Sequence, residues 1–254
     1  MTIEVVFKNH PEGMTAAAKI VGKGKLNLVD RDVLERASEK LLTLSVKEDL
    51  RCVTVEGSTE YAFIGGADLK ELRRLTPETA FSFIGSIHRF CSLIRKSNFP
   101  VIAKMRGYCL GAGLEIAAAC DIRIADQSVK CGMPEVRVGV PSVVEAALLP
   151  GLIGWGKAKE IMFRGNIFGS QEAQSIGLLQ EVVSSAKLES VCKEIEKDIL
   201  SSGKNAIASQ KRLFLDWESG SIDESIKKSM AVFSDSYESN EPQVMIDKFF
   251  DKKE

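Results

Sequence analysis

The segment Arg106–Asp121, RGYCLGAGLEIAAACD, carries the strongest indication of the fold. Gly111 and Gly113 mark a tight turn after an apolar strand signal, and the alanines at 117–119 predict a closely packed helix behind it. Glu115 falls in the first turn of that helix, where the positive end of the helix dipole favours a carboxylate. Its apolar neighbours leave two interpretations open: a dipole-stabilised surface carboxylate, or a carboxylate that faces a buried site.

Outside this segment, short apolar strand signals alternate with helical periods. Strand signals occur at Ala16–Val21, Arg51–Glu56, Val101–Met105 and Asp121–Ala125, and helical patterns at Arg31–Leu44 and Thr79–Lys96. Such alternation predicts right-handed crossovers and a mainly parallel, buried sheet.

The strand signals stop near Leu188, and only helical patterns follow, at Leu188–Ser201, Asn205–Trp217, Ser221–Ser236 and Gln243–Phe250. We therefore predict an α/β fold with two regions. Residues 1–190 are expected to form a β/α core that carries the site. Residues 191–254 are expected to form a helical region that packs on the core or on another subunit.

The composition is that of an ordinary globular protein, and it disfavours several classes of function. The 254 residues carry 34 basic and 35 acidic side chains, a net charge of −1, so binding to nucleic acid or to an anionic membrane is not predicted. The longest apolar runs fall short of the ~20 residues that a membrane span needs. The N-terminus lacks the pattern of a signal peptide, and we expect a cytoplasmic protein.

Six cysteines and two histidines limit the chemistry that the chain can perform. The cysteines form no CxxC pair and do not cluster with His10 or His88, so we predict reduced core thiols rather than disulfides or a metal site. With so few histidines, a hydrolase built on a histidine base is disfavoured. Acid–base chemistry is therefore expected to rest on carboxylates.

A second glycine turn occurs in Ala62–Leu72, AFIGGADLKEL. It leads into a short helix with Asp68 as N-cap and Glu71 three residues later, the pattern of a capping box. Unpaired amides at such a turn suit an oxyanion, and two turns of this kind at adjacent strand ends would supply one N–H each. The segment alone is also compatible with an ordinary strand-to-helix turn.

A third segment, Lys130–Ala158, contributes two further carboxylates. Glu135 lies in a loop bounded by proline and glycine, where a solvated carboxylate is the simplest interpretation. Pro141–Ser142 is predicted to begin an apolar helix that contains Glu145.

Together, the three segments resemble the crotonase superfamily, also called the enoyl-CoA hydratase/isomerase superfamily. AFIGGADLKEL is similar to the family's first oxyanion-hole segment, RGYCLGAGLEIAAACDIRIA is similar to its second, and the spacing to the segment MPE at 133–135 also fits. The likeness is clear over residues 50–185 and weaker at Gly24–Asn27, GKLN. The combination is specific, whereas a single glycine turn would not be.

The resemblance implies a crotonase-like spiral of ββα units with a C-terminal helical region, assembled as a homotrimer or hexamer. It implies that the backbone amides of Ala67 and Ala112 form an oxyanion hole for the enolate of a CoA thioester, with Glu115 and Glu135 as the catalytic carboxylates. Other residues expected along the thioester and pantetheine are Gly66, Asp68, Leu69, Lys70 and Gly111. Basic residues that could contact the CoA phosphates are Lys25, Lys70, Lys211 and Arg212.

One stretch departs from the family pattern. Where many hydratases have a glycine-rich PGAGG segment, this chain reads GVPSVVEAALLP at 139–150, with one residue fewer before Pro141. Ser142, Val143, Val144 and Glu145 replace small residues there, and the two valines are expected to narrow or reshape the acyl pocket. Glu145 either reaches the substrate as a third carboxylate or is an ordinary first-turn helix residue, and the second is the simpler interpretation.

Three functions remain open. Glu115 and Glu135 together predict hydration of a 2-enoyl-CoA to a 3-hydroxyacyl-CoA, in fatty acid metabolism, with no cofactor beyond the coenzyme A of the substrate. A double-bond isomerase would shuttle the proton with Glu135 alone. A CoA-binding protein without turnover would need neither glutamate, and the presence of both favours the hydratase.

Overall fold

The computed structural model describes residues 3–251. The strands are β1 (Ile3–His10), β2 (Gly13–Ile20), β3 (Leu50–Gly57), β4 (Ala62–Ile64), β5 (Val101–Met105), β6 (Tyr108–Leu110), β7 (Ile122–Asp126), β8 (Lys130–Gly132), β9 (Ile167–Gly169) and β10 (Glu181–Val183). The α-helices are α1 (Arg31–Ser45), α2 (Leu69–Leu72), α3 (Pro77–Lys96), α4 (Ala112–Ala119), α5 (Leu149–Ile153), α6 (Trp155–Arg164), α7 (Ser170–Ser175), α8 (Leu188–Ser201), α9 (Lys204–Ser219), α10 (Ile222–Asp235) and α11 (Glu241–Asp251). Short 3-10 helices cover Glu135–Val138, Val144–Leu148 and Ser236–Glu238.

These strands form two sheets. The larger sheet has the order β1-β2-β3-β5-β7-β10, with β1 antiparallel to β2 and every other neighbour parallel. The smaller sheet has the order β4-β6-β8-β9, in which β8 and β9 are antiparallel. In each of the successive pairs β3–β4, β5–β6 and β7–β8, the first strand belongs to the larger sheet and the second strand to the smaller sheet. A helical segment follows each pair. This is the spiral of ββα units, and it confirms the predicted α/β fold.

The central strands are buried on both faces. The first six residues of β3, LRCVTV, are all buried, as expected for a parallel strand covered on both sides. The main hydrophobic core includes Phe63 and Phe90, and a second cluster joins the larger sheet to α8 through Cys52, Ile102 and Leu188. All six cysteines are buried and unpaired, as predicted for reduced core thiols.

Helix α4 is buried along its whole length and packs against α3 and the 3-10 helix Val144–Leu148. Its C-terminal end is capped by the buried guanidinium of Arg123, which donates hydrogen bonds to the carbonyls of Ala117 (3.4 Å), Cys120 (2.6 Å) and Leu178 (2.8 Å). A cation is favourable at this end of a helix. The close packing predicted from the alanines is confirmed, and it holds the N-terminal turn of α4 in place.

The predicted start of a helix at Pro141–Ser142 is wrong. Val143 is extended, and the 3-10 helix begins only at Val144, whose φ is +40°. Two successive β-branched residues lose rotamer freedom in a helix, and the chain instead turns inward at Val144. Glu145 lies in the first turn of this 3-10 helix, and its side chain is buried.

The predicted capping box of α2 does not form either. The side chain of Asp68 accepts a hydrogen bond from the amide of Lys70 at 2.9 Å and acts as the expected N-cap. Glu71, however, accepts from the amide of Arg31 at 3.2 Å, so its carboxylate stabilises the start of α1 instead.

The C-terminal helices contain one buried lysine. Lys211 of α9 is 5% exposed, and its ammonium donates to Ser97 Oγ (2.9 Å), the Phe99 carbonyl (2.8 Å) and Asp121 Oδ2 (2.7 Å). All three N–H donors are used to attach α9 to the core. The expectation that Lys211 contacts a CoA phosphate is therefore wrong.

Beyond α9, helix α10 exposes a row of large apolar side chains, Ile222, Ile226, Met230 and Phe233. Within residues 3–251, no helix is both long enough and apolar enough to cross a membrane.

Candidate active site

Two glycine turns meet at the ends of β4 and β6. Gly66 and Gly111 have φ of +110° and +52°, which other residues rarely adopt. A Cβ placed on Gly66 would lie 3.2 Å from the carbonyl oxygen of Leu110, so the two turns are in direct contact. Because β4 and β6 are parallel neighbours, both turns lie at the same edge of the smaller sheet.

Each turn presents a backbone amide at this edge. The amide of Val29 donates to Gly66 (3.0 Å) and the amide of Asp68 donates to Val29 (2.8 Å). Consecutive amides of an extended segment point to opposite sides, so the N–H of Ala67 faces away from Val29. Ala112 is the first residue of α4, and its N–H has no acceptor within the helix. The two amides are therefore available to an oxygen atom placed between the turns.

Glu115 lies one turn further into α4 and is only 3% exposed. Its Oε1 accepts a hydrogen bond from the amide of Ala146 at 3.2 Å. Burial, followed by the negative charges of Glu135 and Glu145, raises the pKa of Glu115 to about 8, against the opposing effect of the Ala146 amide. A carboxyl group with this pKa keeps its proton at neutral pH.

Glu135 reaches the same place from the 3-10 helix Glu135–Val138. Its Oε2 accepts a hydrogen bond from Ser142 Oγ at 2.9 Å. Its Oε1 lies 2.6 Å from the position that a Cβ on Gly111 would occupy, so the carboxylate lies directly against the second glycine turn. Burial raises the pKa of Glu135 as well, although Ser142 opposes the shift. The three segments singled out in the sequence therefore converge on one site.

A third carboxylate borders this site. Glu145 is 3% exposed, and its Oε1 lies 2.8 Å from Nδ1 of His88 on α3, while no hydrogen-bond partner of its Oε2 lies among the described residues. Burial raises the pKa of Glu145, and the hydrogen bond to His88 is the largest effect that opposes this shift. Val143 is exposed and Val144 is half-buried, directly before Glu145 in the chain, and their place in an acyl pocket stays a prediction.

The profile of the enoyl-CoA hydratase/isomerase family matches residues 16–254. The chain belongs to the crotonase superfamily. A short-chain-enoyl-CoA hydratase of Clostridium acetobutylicum is 29% identical over 246 residues, which cover 95% of this chain and 93% of that relative. A crotonyl-CoA hydratase of Syntrophomonas wolfei is 30% identical over 206 residues, 81% of this chain and 75% of the relative.

Solved structures agree with this assignment. An enoyl-CoA hydratase from Bacillus anthracis matches with a TM-score of 0.92 at 26% identity, covering 99% of this chain and 97% of that one. One from Thermoplasma volcanium matches with a TM-score of 0.89 at 28% identity, covering 98% and 97%. Members of the crotonase superfamily act on acyl-CoA thioesters, so the site at the two glycine turns is a candidate thioester site.

The rest of the first glycine turn lies at the protein surface. Leu69 is 57% exposed and Lys70 is also exposed, whereas Asp68 is buried and forms an ion pair with Lys23 at 3.3 Å. The contacts predicted between this stretch and the thioester and pantetheine stay a prediction. Of the proposed phosphate contacts, Lys25 and Arg212 are exposed as well.

Three contacts of the site were not predicted from the sequence. Ser142 and Ala146 act on the two glutamates through single hydrogen bonds, and His88 contacts Glu145 across 57 residues of chain. His88 lies on the exposed side of α3, where a polar residue is unremarkable in an amphipathic helix.

Proposed function

We propose that this chain is a 2-enoyl-CoA hydratase, which adds water across the α,β double bond of a CoA thioester to give a 3-hydroxyacyl-CoA. The observation that carries the proposal is that Glu115, in the first turn of α4, and Glu135, against Gly111, meet at the second glycine turn. Two carboxyl groups with raised pKa values stand next to an amide that can hold the thioester oxygen.

The reaction needs one carboxyl group in each protonation state. The ionised carboxylate takes a proton from a water molecule, and the water oxygen bonds to the β-carbon of the substrate. The electrons of the double bond move to the thioester oxygen, and the amides of Ala67 and Ala112 stabilise the resulting enolate. The protonated carboxyl group then delivers its proton to the α-carbon.

The close approach of Glu115 and Glu135 favours a pair in which one carboxyl group is protonated and the other is ionised. Two like charges close together cannot both ionise easily, so the pair retains one proton over a range of pH. Hydration transfers no electrons, and coenzyme A enters only as part of the substrate. We expect loss of one carboxylate or one amide donor to lower the rate ~10²–10⁴-fold.

The exposed apolar side chains of α10 support assembly as a homotrimer or hexamer, in which the C-terminal helices contact a neighbouring subunit. Ile222, Met230 and Phe233 are 79%, 69% and 67% exposed, and they follow one another at helical spacing. Light scattering of the purified protein tests this, and a monomer at micromolar concentration would contradict it.

A double-bond isomerase is the second candidate, favoured by one observation. Glu135 alone lies against the Gly111 turn, where it could carry a proton along the acyl chain without Glu115. A relative from Mycosarcoma maydis, 30% identical over 194 residues, is named an enoyl-CoA isomerase/hydratase. An isomerase would keep much of its activity in Glu115→Gln, whereas hydration would collapse.

The proposal is tested with a panel of enoyl-CoA thioesters of different length and branching, beginning with crotonyl-CoA. Hydration removes the conjugated double bond, so the absorbance of the conjugated thioester falls as the reaction proceeds. We expect turnover of at least one thioester of the panel. Binding of CoA without turnover of any thioester would instead favour a non-catalytic CoA-binding member of the family.

A further inference from the structure

The turn from Val143 to Ala146 is strained. Val144 has φ of +40°, a region that a β-branched residue rarely enters. Such a conformation persists only where the surrounding contacts maintain it. We therefore expect residues next to Val144 to make contacts that hold the turn in this conformation.

Two such contacts follow Val144 directly. The side chain of Glu145 points inward and meets Nδ1 of His88 on α3 at 2.8 Å. The amide of Ala146 is shared between the Val143 carbonyl (2.9 Å) and Oε1 of Glu115 on α4 (3.2 Å). One residue of the turn is thus tied to α3, and the next residue orients a candidate catalytic carboxylate.

The contact with His88 is the one that holds Glu145 in place. In the described part of the chain His88 is the hydrogen-bond partner of this carboxylate, since Oε2 is buried without one. The other titratable groups that face Glu145 are Arg95 and Cys91 on α3 and Glu115 on α4. Removing His88 would leave a buried carboxylate beside Glu115 with no hydrogen bond, which strongly disfavours the inward conformation of the turn.

We propose that the contact between His88 and Glu145 is a positioning device of this active site, which holds the Val143–Ala146 turn inward so that the Ala146 amide keeps Glu115 oriented. The inference rests on the proposed hydratase function. His88 and Glu145 are positioning residues, because they act through Ala146 and Glu115 and not on the reacting atoms.

The first test separates turnover from binding. His88→Ala and Glu145→Leu each remove the contact, and we expect kcat for the best enoyl-CoA to fall about 10- to 100-fold while KM stays within about 3-fold. The double variant should lose no more kcat than the worse single variant, because both substitutions remove the same contact. Arg89→Ala, the exposed neighbour on α3, is the control and should retain wild-type kinetics.

The second test uses a conservative variant and the pH profile. Glu145→Gln keeps a hydrogen bond to His88 but removes a charge that raises the pKa of Glu115. The pKa of Glu115 should therefore fall, and the loss of activity on the alkaline side should move to lower pH. We expect about 3- to 10-fold less activity than the wild type near pH 8.5 and near-equal activity near pH 6.5. A purely structural residue would change the rate equally at both pH values.

The outcomes separate the inference from the proposed function. Wild-type kcat and an unmoved pH profile in His88→Ala and Glu145→Gln, with an active wild type, would overturn the inference alone. Additive losses in the double variant would overturn it too, because two independent residues would then be acting. A wild-type protein that hydrates no thioester contradicts the proposed function and the inference together. Far-UV circular dichroism confirms that each variant is folded, and Glu145→Gln keeps the test decisive if Glu145→Leu does not fold.

Discussion

The Gly111 turn and the Val144 turn both leave the usual backbone conformations, but they do so in opposite ways. Gly111 adopts φ of +52° without strain, and its lack of a side chain lets Glu135 lie against the backbone. Val144 adopts φ of +40° with a β-branched side chain, at a cost of order 1–3 kcal/mol. The glycine turn is intrinsic to its sequence, whereas the valine turn depends on neighbours that restrain it.

This difference separates the residues proposed to contact the substrate from the residues proposed to position them. The glycine turns bring Ala67, Ala112, Glu115 and Glu135 together, and these residues would serve any enoyl-CoA. The valine turn occupies the segment where the chain departs from the family pattern, and through the Ala146 amide it would orient Glu115.

Among substitutions in the two turns, the largest effect is expected for Ala112→Pro. Proline is tolerated at the first position of a helix, so α4 should still form, but the substitution removes the N–H proposed to hold the enolate oxygen. We expect kcat to fall ~10²–10³-fold with KM little changed. Full activity with retained circular dichroism would show that this amide does not act on the substrate.

Gly111→Ala should have the next largest effect. The new Cβ would lie 2.6 Å from Oε1 of Glu135 and would displace that carboxylate. We expect activity to fall roughly 10- to 100-fold. Gly139→Ala is the matched control, because Gly139 also has positive φ, +80°, but has open space at its Cβ position. Equal losses in both variants would assign the effect to backbone strain and not to Glu135.

The pH dependence of kcat/KM tests whether Glu115 and Glu135 together retain one proton near neutral pH. The pKa of Glu115 is about 8 in the folded protein, so the pair loses its proton as the pH rises through that value. We expect kcat/KM to fall about 10-fold per pH unit beyond it. Steady-state rates across pH 6–10 measure this directly, and a profile that stays flat to pH 10 would contradict the raised pKa.

The smallest effect concerns the stability of the valine turn. Val144→Gly and Val144→Ala both remove a side chain that packs against the core, but only glycine adopts the positive φ without strain. We expect Val144→Gly to be at least as stable as Val144→Ala in urea unfolding, although glycine in an unstrained helix is less stable than alanine by about 1 kcal/mol. A Val144→Gly variant that is less stable than Val144→Ala by that amount would indicate that the turn at Val144 is not strained.

Much of the fold could be predicted from the sequence because its signals are local. The β3 run of apolar residues, the alanines of α4 and the glycines at 66 and 111 each encode their own conformation. Glu115 and Glu135 could be picked out only through the resemblance to the crotonase superfamily, because the loop around Glu135 alone indicates a solvated carboxylate.

The contacts around Glu145 could not be predicted in the same way. The inward direction of Glu145 depends on one backbone torsion at Val144, and its partner His88 is 57 residues away on a helix face that otherwise meets solvent. Lys211 was misassigned for a related reason, because an isolated lysine in a helix gives no sign that three acceptors surround it.

The most direct test of the account is hydration of the best enoyl-CoA by the wild type, Glu115→Gln and Glu135→Gln, with Glu39→Gln on the exposed surface of α1 as the control. Both active-site variants should lose ~10²–10⁴-fold in kcat, and the control should keep its activity. Folding should be preserved, because ionisation of a buried carboxyl with a raised pKa disfavours the folded state at high pH and the amide removes that penalty. Activity that survives in Glu115→Gln and is lost only in Glu135→Gln would contradict the two-carboxylate hydratase.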